Sequence, residues 1–107
     1  FTALSHGEAV AVGMGMAADT AIRLDLIDSS LGSRQDRLLR ACGLPLRASL
    51  DRPIDPSEVL RLMYHDKKVR RGILRLVLPT APGRVEVRDC TDESLLLSVI
   101  GGRCEQP

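Results

Sequence analysis

The segment Ser5-His6-Gly7-Glu8 sets an imidazole and a carboxylate two positions apart at the head of a long run of small and apolar residues. Ser5 with Glu8 three positions on has the form of a capping box, in which the hydroxyl and the carboxylate each accept from the other residue's amide. His6 then falls in the first helical turn. The positive end of a helix disfavours the imidazolium, leaving a neutral ring with a free lone pair, the form that binds a metal. On the residues alone two roles stay open for His6: metal ligand, or a solvent-facing residue of an ordinary helix start. Glu8 is either the capping partner or a second-layer partner of His6. His65 is the only other histidine, and no HExxH spacing joins the two.

A second group with chemical potential is Asp66-Lys67-Lys68. Lys67 stands four positions past Met63 and seven past Leu60, in line with the apolar stripe of a helix, while Lys68 turns about 100° away. Two adjacent lysines near a helix C-terminus serve either as a solvated face that favours the helix dipole or as an anion clamp for phosphate or carboxylate. Arg70, Arg71, Arg75, Arg84 and Arg88 follow without interleaved aromatics and read as a solvated edge.

The elements that must carry these groups are mostly helices. Ala9 to Leu24 is apolar around most of the circumference and predicts a buried helix of about 20 residues. Gly13 and Gly15 weaken it by ~1 kcal/mol each and point to the close approach of another backbone. Ser33 caps a second helix through Leu38, Leu39 and Cys42, ended by Gly43 with Pro45 beyond. Asp55-Pro56-Ser57-Glu58 starts a third, with Val59, Leu60, Leu62 and Met63 as its buried face. "ILRLVL" and "VEVR", separated by "PTAPG", alternate as a short β-hairpin. Thr91 caps a last helix through Leu95, Leu96, Val99 and Ile100, and "RCEQP" is a tail. The fold class expected is mainly α with one small hairpin, a single domain over residues 1–107.

Composition narrows the setting. With 107 residues, 44% of them hydrophobic, and Phe1 and Tyr64 as the only aromatics, the core must be aliphatic. A net charge of +1, from 15 basic and 14 acidic residues, offers no field for nucleic acid or an anionic membrane. No apolar run approaches the ~20 residues of a membrane span. The three cysteines are scattered, with no CxxC pair, which suits a reducing cytoplasm better than a disulfide or zinc framework.

"HGEAVAVGM" (6–14), "CGLP" (42–45) and "DKKVRRGILRLVLP" (66–79), in this order and spacing, resemble the C-terminal part of the 3-dehydroquinate synthase family of sugar-phosphate cyclases. The resemblance covers about residues 4–100. It implies a shikimate-pathway enzyme that converts 3-deoxy-D-arabino-heptulosonate 7-phosphate to 3-dehydroquinate and phosphate. It also implies bound NAD, which oxidises and later reduces a ring hydroxyl, and a divalent metal, usually zinc, which polarises that hydroxyl. The family's HGE histidine, one of three metal ligands, maps onto His6. Its DKK lysines, which help anchor the anionic groups of the substrate, map onto Lys67 and Lys68 without distinguishing them.

The family's nucleotide-binding domain, its GHxxGHA motif and its metal-binding glutamate all belong upstream of this segment. The resemblance therefore implies an excised piece, as the missing initial Met also suggests, inactive alone and with neither NAD nor metal tightly bound. An apolar first helix without its upstream cover is expected to self-associate, giving a homo-oligomer. Two rival readings share these residues: another sugar-phosphate cyclase, of the 2-deoxy-scyllo-inosose or valiolone synthase type, and a stand-alone helical module without chemistry.

Overall fold

A computed structural model describes residues 5–49, 53–66 and 73–105. Helix α1 (His6–Arg23) begins at Ser5 in extended conformation, with both halves of the capping box formed. It runs for 18 residues. Its buried positions are Ala11, Val12, Gly15, Ala18, Thr20 and Ala21, a face of small side chains. On its first half Val10 and Met14 stay open, 47% and 42% exposed, so the helix is half-buried rather than enclosed.

The end of α1 is a Schellman turn. The amide of Leu26 donates to the carbonyl of Ala21 (2.8 Å) and that of Asp25 to Ile22 (3.1 Å). Asp25 takes the left-handed conformation, φ 59°, which glycine usually supplies. Helix α2 (Ser29–Ala41) follows at once, with Asp28 as its N-cap. Ser33 therefore lies inside the helix and does not start it. The reason is packing: Gly32 is pressed against Ile22, whose Cδ1 would lie 2.8 Å from any Cβ there. Close contact with α1 outweighs the poor helix propensity of "DSSLGS". The other end matches expectation, since Gly43, φ 77°, closes a second Schellman turn through Leu44 to Leu39 (3.0 Å).

Strand β1 (Ala48–Ser49) is a short piece of the expected connection. Helix α3 (Pro56–Asp66) starts as the sequence requires, with Asp55 accepting from the Ser57 amide at 2.9 Å. Leu60 is buried and Val59 and Met63 half-buried, but Leu62 is exposed. Strands β2 (Leu74–Ala81) and β3 (Arg84–Cys90) form the antiparallel hairpin. Its connection is only Pro82-Gly83, shorter than the expected "PTAPG", because the ladder continues past Pro79 through an irregularity before Ala81. Gly83 supplies the positive φ of 73°.

Helix α4 (Glu93–Gly102) is capped by Asp92, which accepts from the Leu95 amide at 3.1 Å, and not by Thr91. Strand β4 (Cys104–Glu105) pairs in parallel with β1, Ala48 opposite Cys104. The expected tail is thus built into the fold through residue 105. Architecture is mainly α with a small hairpin, as the residues suggested.

The core lies where β2, α3 and α4 meet. Leu74 and Leu78 are its largest fully buried side chains, joined by Ile54, Leu60, Leu96 and Ile100. Each such leucine contributes about 1.5–3 kcal/mol relative to exposure. Helix α1 closes the other side against β2, α2 and α4. Cys42 is an exposed free thiol, and Cys90 and Cys104 are free and buried. Burial pushes the Cys104 thiol above its usual range. Among the described residues no helix is long and apolar enough to cross a membrane.

Candidate functional site

His6 is the first residue of α1 and is exposed. The cap that fixes it is fully made: the Ser5 amide donates to Glu8 Oε1 (2.9 Å) and the Glu8 amide to Ser5 Oγ (3.1 Å). Acceptance from the Ser5 backbone, then from its side chain, holds the Glu8 carboxyl below its ordinary value. This bonding is the capping reading of Glu8. It orders the backbone under His6 and leaves the imidazole itself uncommitted.

The helical spacing gives His6 a defined neighbourhood. His6, Val10, Gly13, Met14 and Ala17 repeat at three- and four-residue intervals and so share one face of α1. Further along that face, Gly13 and Ala17 help line an apolar cavity of about 370 Å³, closed by Met63, Leu76 and Leu96. Among the described residues no titratable side chain lines it.

An exposed imidazole on a rigid, capped helix start fits one ligand position of a metal site. Among the described residues no group of three or more His, Cys, Asp or Glu side chains gathers to complete one. Gly13 and Gly15 both lie within α1 and form no phosphate-cradling turn. Lys67, Lys68, Arg70 and Arg71 lie outside the described residues, directly beyond α3. Of the remaining arginines of that run, Arg75 pairs with Asp89 (3.3 Å) and Arg88 with Glu86 (3.1 Å), both at the surface, a solvated edge as expected.

The residue that sequence reasoning missed is Arg103. It stands on the expected tail but is 9% exposed, and it gathers two carboxylates. Its Nε and Nη2 donate to Asp19 of α1 (2.6 and 2.9 Å), and Nη1 and Nη2 to Asp36 of α2 (3.2 Å each). Nη1 also donates to the carbonyl of Leu46 (3.1 Å). All five N–H groups of the fork have an acceptor. The hydrogen bonds it donates to Asp19 first, and to Asp36, raise its pKa, against the opposing effect of burial. The guanidinium lies on Gly15, where a Cβ would meet Nη1 at 2.7 Å and Cζ at 2.8 Å. Gly15 thus makes room for a side chain and not for another backbone, while among the described residues nothing lies within 4 Å of a Cβ at Gly13. The available signal was an Asp on the first and second helices with an unpaired Arg far downstream, which periodicity does not read.

A family model described as 3-dehydroquinate synthase C-terminal matches residues 1–69, from the segment that holds His6 to just beyond Lys67 and Lys68. Among curated proteins the chain is similar to a 3-dehydroquinate synthase of Synechocystis sp., 40% identical over 92% of this chain and 27% of the relative. It is similar to that of Rhodopirellula baltica, 44% identical over 94% of this chain and 26% of the relative. A third, from Shewanella loihica, is 44% identical over 89% of this chain and 26% of the relative. The chain spans about a quarter of the length of these relatives.

Proposed function

The chain belongs to the 3-dehydroquinate synthase C-terminal family, and from that premise we propose that it is the C-terminal part of a 3-dehydroquinate synthase. The reaction is conversion of 3-deoxy-D-arabino-heptulosonate 7-phosphate to 3-dehydroquinate and phosphate in the shikimate pathway, in the cytoplasm. What carries the reading is the coincidence of a family match over residues 1–69 with an exposed His6 on a completed cap.

His6 would hold a divalent metal, zinc as the family resemblance implies, together with ligands from outside the described residues. When bound, such a metal would supply Lewis acidity toward a substrate hydroxyl, and NAD would supply redox capacity. The chain's own part is to bind and orient. Ser5 and Glu8 fix the backbone that carries His6, so little ordering is left to do on binding. Lys67 and Lys68 are assigned to the anionic groups of the substrate, where cationic donors anchor phosphate or carboxylate. No NAD contact is assigned to the described residues. The 107 residues form one domain, inactive without the remaining chain, and the whole enzyme is a homo-oligomer.

The test is an assay of the full-length protein on 3-deoxy-D-arabino-heptulosonate 7-phosphate, with zinc content measured beside turnover. His6→Ala is expected to lose zinc and lower turnover by orders of magnitude. Unchanged zinc and turnover in that variant would remove His6 from the site. Turnover of a different sugar phosphate alone would move the enzyme to another cyclase type.

A further inference from the structure

The buried face of α1 is made of Ala11, Val12, Gly15, Ala18, Thr20 and Ala21. Apart from Ile22 against Gly32, these small side chains give low relief, so few knobs resist sliding or rolling of the helix against β2, α2 and α4. Registry in such an interface is a recurrent use of buried polar groups. Among the described residues the buried polar side chains are Thr20, whose hydroxyl donates to the Met16 carbonyl of its own helix, and Arg103, which reaches across elements. Arg103 binds Asp19 through two donors and Asp36 through two more, rests on Gly15, and is tied to Leu46 by its side chain. Its own carbonyl accepts from the Ala48 amide at 2.7 Å. A planar fork held by three partners tolerates neither axial slip nor roll of Asp19.

We infer that Arg103 is a positioning residue for the metal site: by fixing the register and roll of α1 it fixes the place of His6 at the helix head. The inference rests on the reading of His6 as a metal ligand. The lever is long. His6 stands thirteen residues before Asp19, about 20 Å along the helix at ~1.5 Å per residue. A tilt of about 2° swings His6 by roughly 0.7 Å, beyond the ~0.5 Å within which a site residue must be held. Lysine, with three donors in place of five and no planar fork, cannot reproduce the two-pronged grip on both Asp19 and Asp36.

The experiment uses the full-length protein, stripped of metal and titrated with zinc against a chromophoric chelator well below its melting transition. Cobalt(II) is loaded in parallel to report ligand geometry. Arg103→Lys is expected to weaken zinc binding about 10–100-fold, the range for residues that orient metal ligands, and to shift the cobalt d–d bands. Asp36→Asn, which keeps the Asp19 pair, shows a smaller loss in the same direction and serves if Arg103→Lys does not fold. A purely structural role lowers the melting temperature but leaves zinc affinity and the cobalt spectrum as in wild type. That result in a folded variant overturns the inference. His6→Ala separates the two ideas: if it binds zinc as wild type does, the metal reading itself fails, and the inference with it.

Discussion

Glu8 does its work at the scale of a single residue, and its titration makes that work measurable. Its carboxyl is held below the ordinary value of 4.5 by the bonds from Ser5. A carboxyl with a lowered folded-state pKa contributes stability that is complete above that ordinary value and is lost as pH falls through the lowered one. Thermal melts of wild type are expected to show this acid-side loss, and Glu8→Ala to lack it while starting from a lower stability at neutral pH. Equal acid sensitivity in both would mean that the cap contributes nothing in solution. The cap was legible in advance because everything it needs lies within four consecutive residues. Whether His6 meets a metal was not, since a ligand set is a meeting of side chains far apart in sequence.

Among the elements, the two Schellman turns make a natural comparison. The end of α2 uses Gly43 in the left-handed conformation, whereas the end of α1 asks the same of Asp25. An L residue there costs about 1–2 kcal/mol, less for Asp than for most. Asp25→Gly is therefore expected to raise the stability of the chain by about 0.5–1 kcal/mol, read as a shift of the denaturant midpoint without a change of slope. A loss of stability would show that the Asp25 side chain makes a contribution larger than its backbone strain. Helix existence was legible throughout from apolar spacing and caps. Boundaries failed where tertiary contact overrode local preference: Gly32 serves close packing against Ile22 rather than ending a turn. The hairpin was legible from alternation, but Pro79 masked its length, since an irregularity lets the ladder pass it.

For the molecule as a whole, the informative surface is the open stripe of α1. Val10 and Met14 remain exposed beside the groove that Gly13 and Ala17 line. Apolar faces of this kind seek cover. The isolated chain is expected to associate with rising concentration in analytical ultracentrifugation, and Val10→Lys with Met14→Lys to hold it monomeric. A wild-type monomer at high concentration would mean that the stripe is too small to drive association. What the sequence could not reveal at this scale was the closure of the chain on itself. Arg103 meets Asp36 and Asp19 across separations of 67 and 84 positions, beyond the reach of any periodicity. That separation also has a temporal side. Contacts so distant along the chain carry the largest loop-closure cost. Until residue 103 has been synthesised and brought back, Asp19 and Asp36 lack the guanidinium between them, and α1 and α2 are held by Ile22 against Gly32 and by the Gln35 side chain on the Met14 carbonyl. The alignment of α1 is thus completed only after the chain has been made through residue 103.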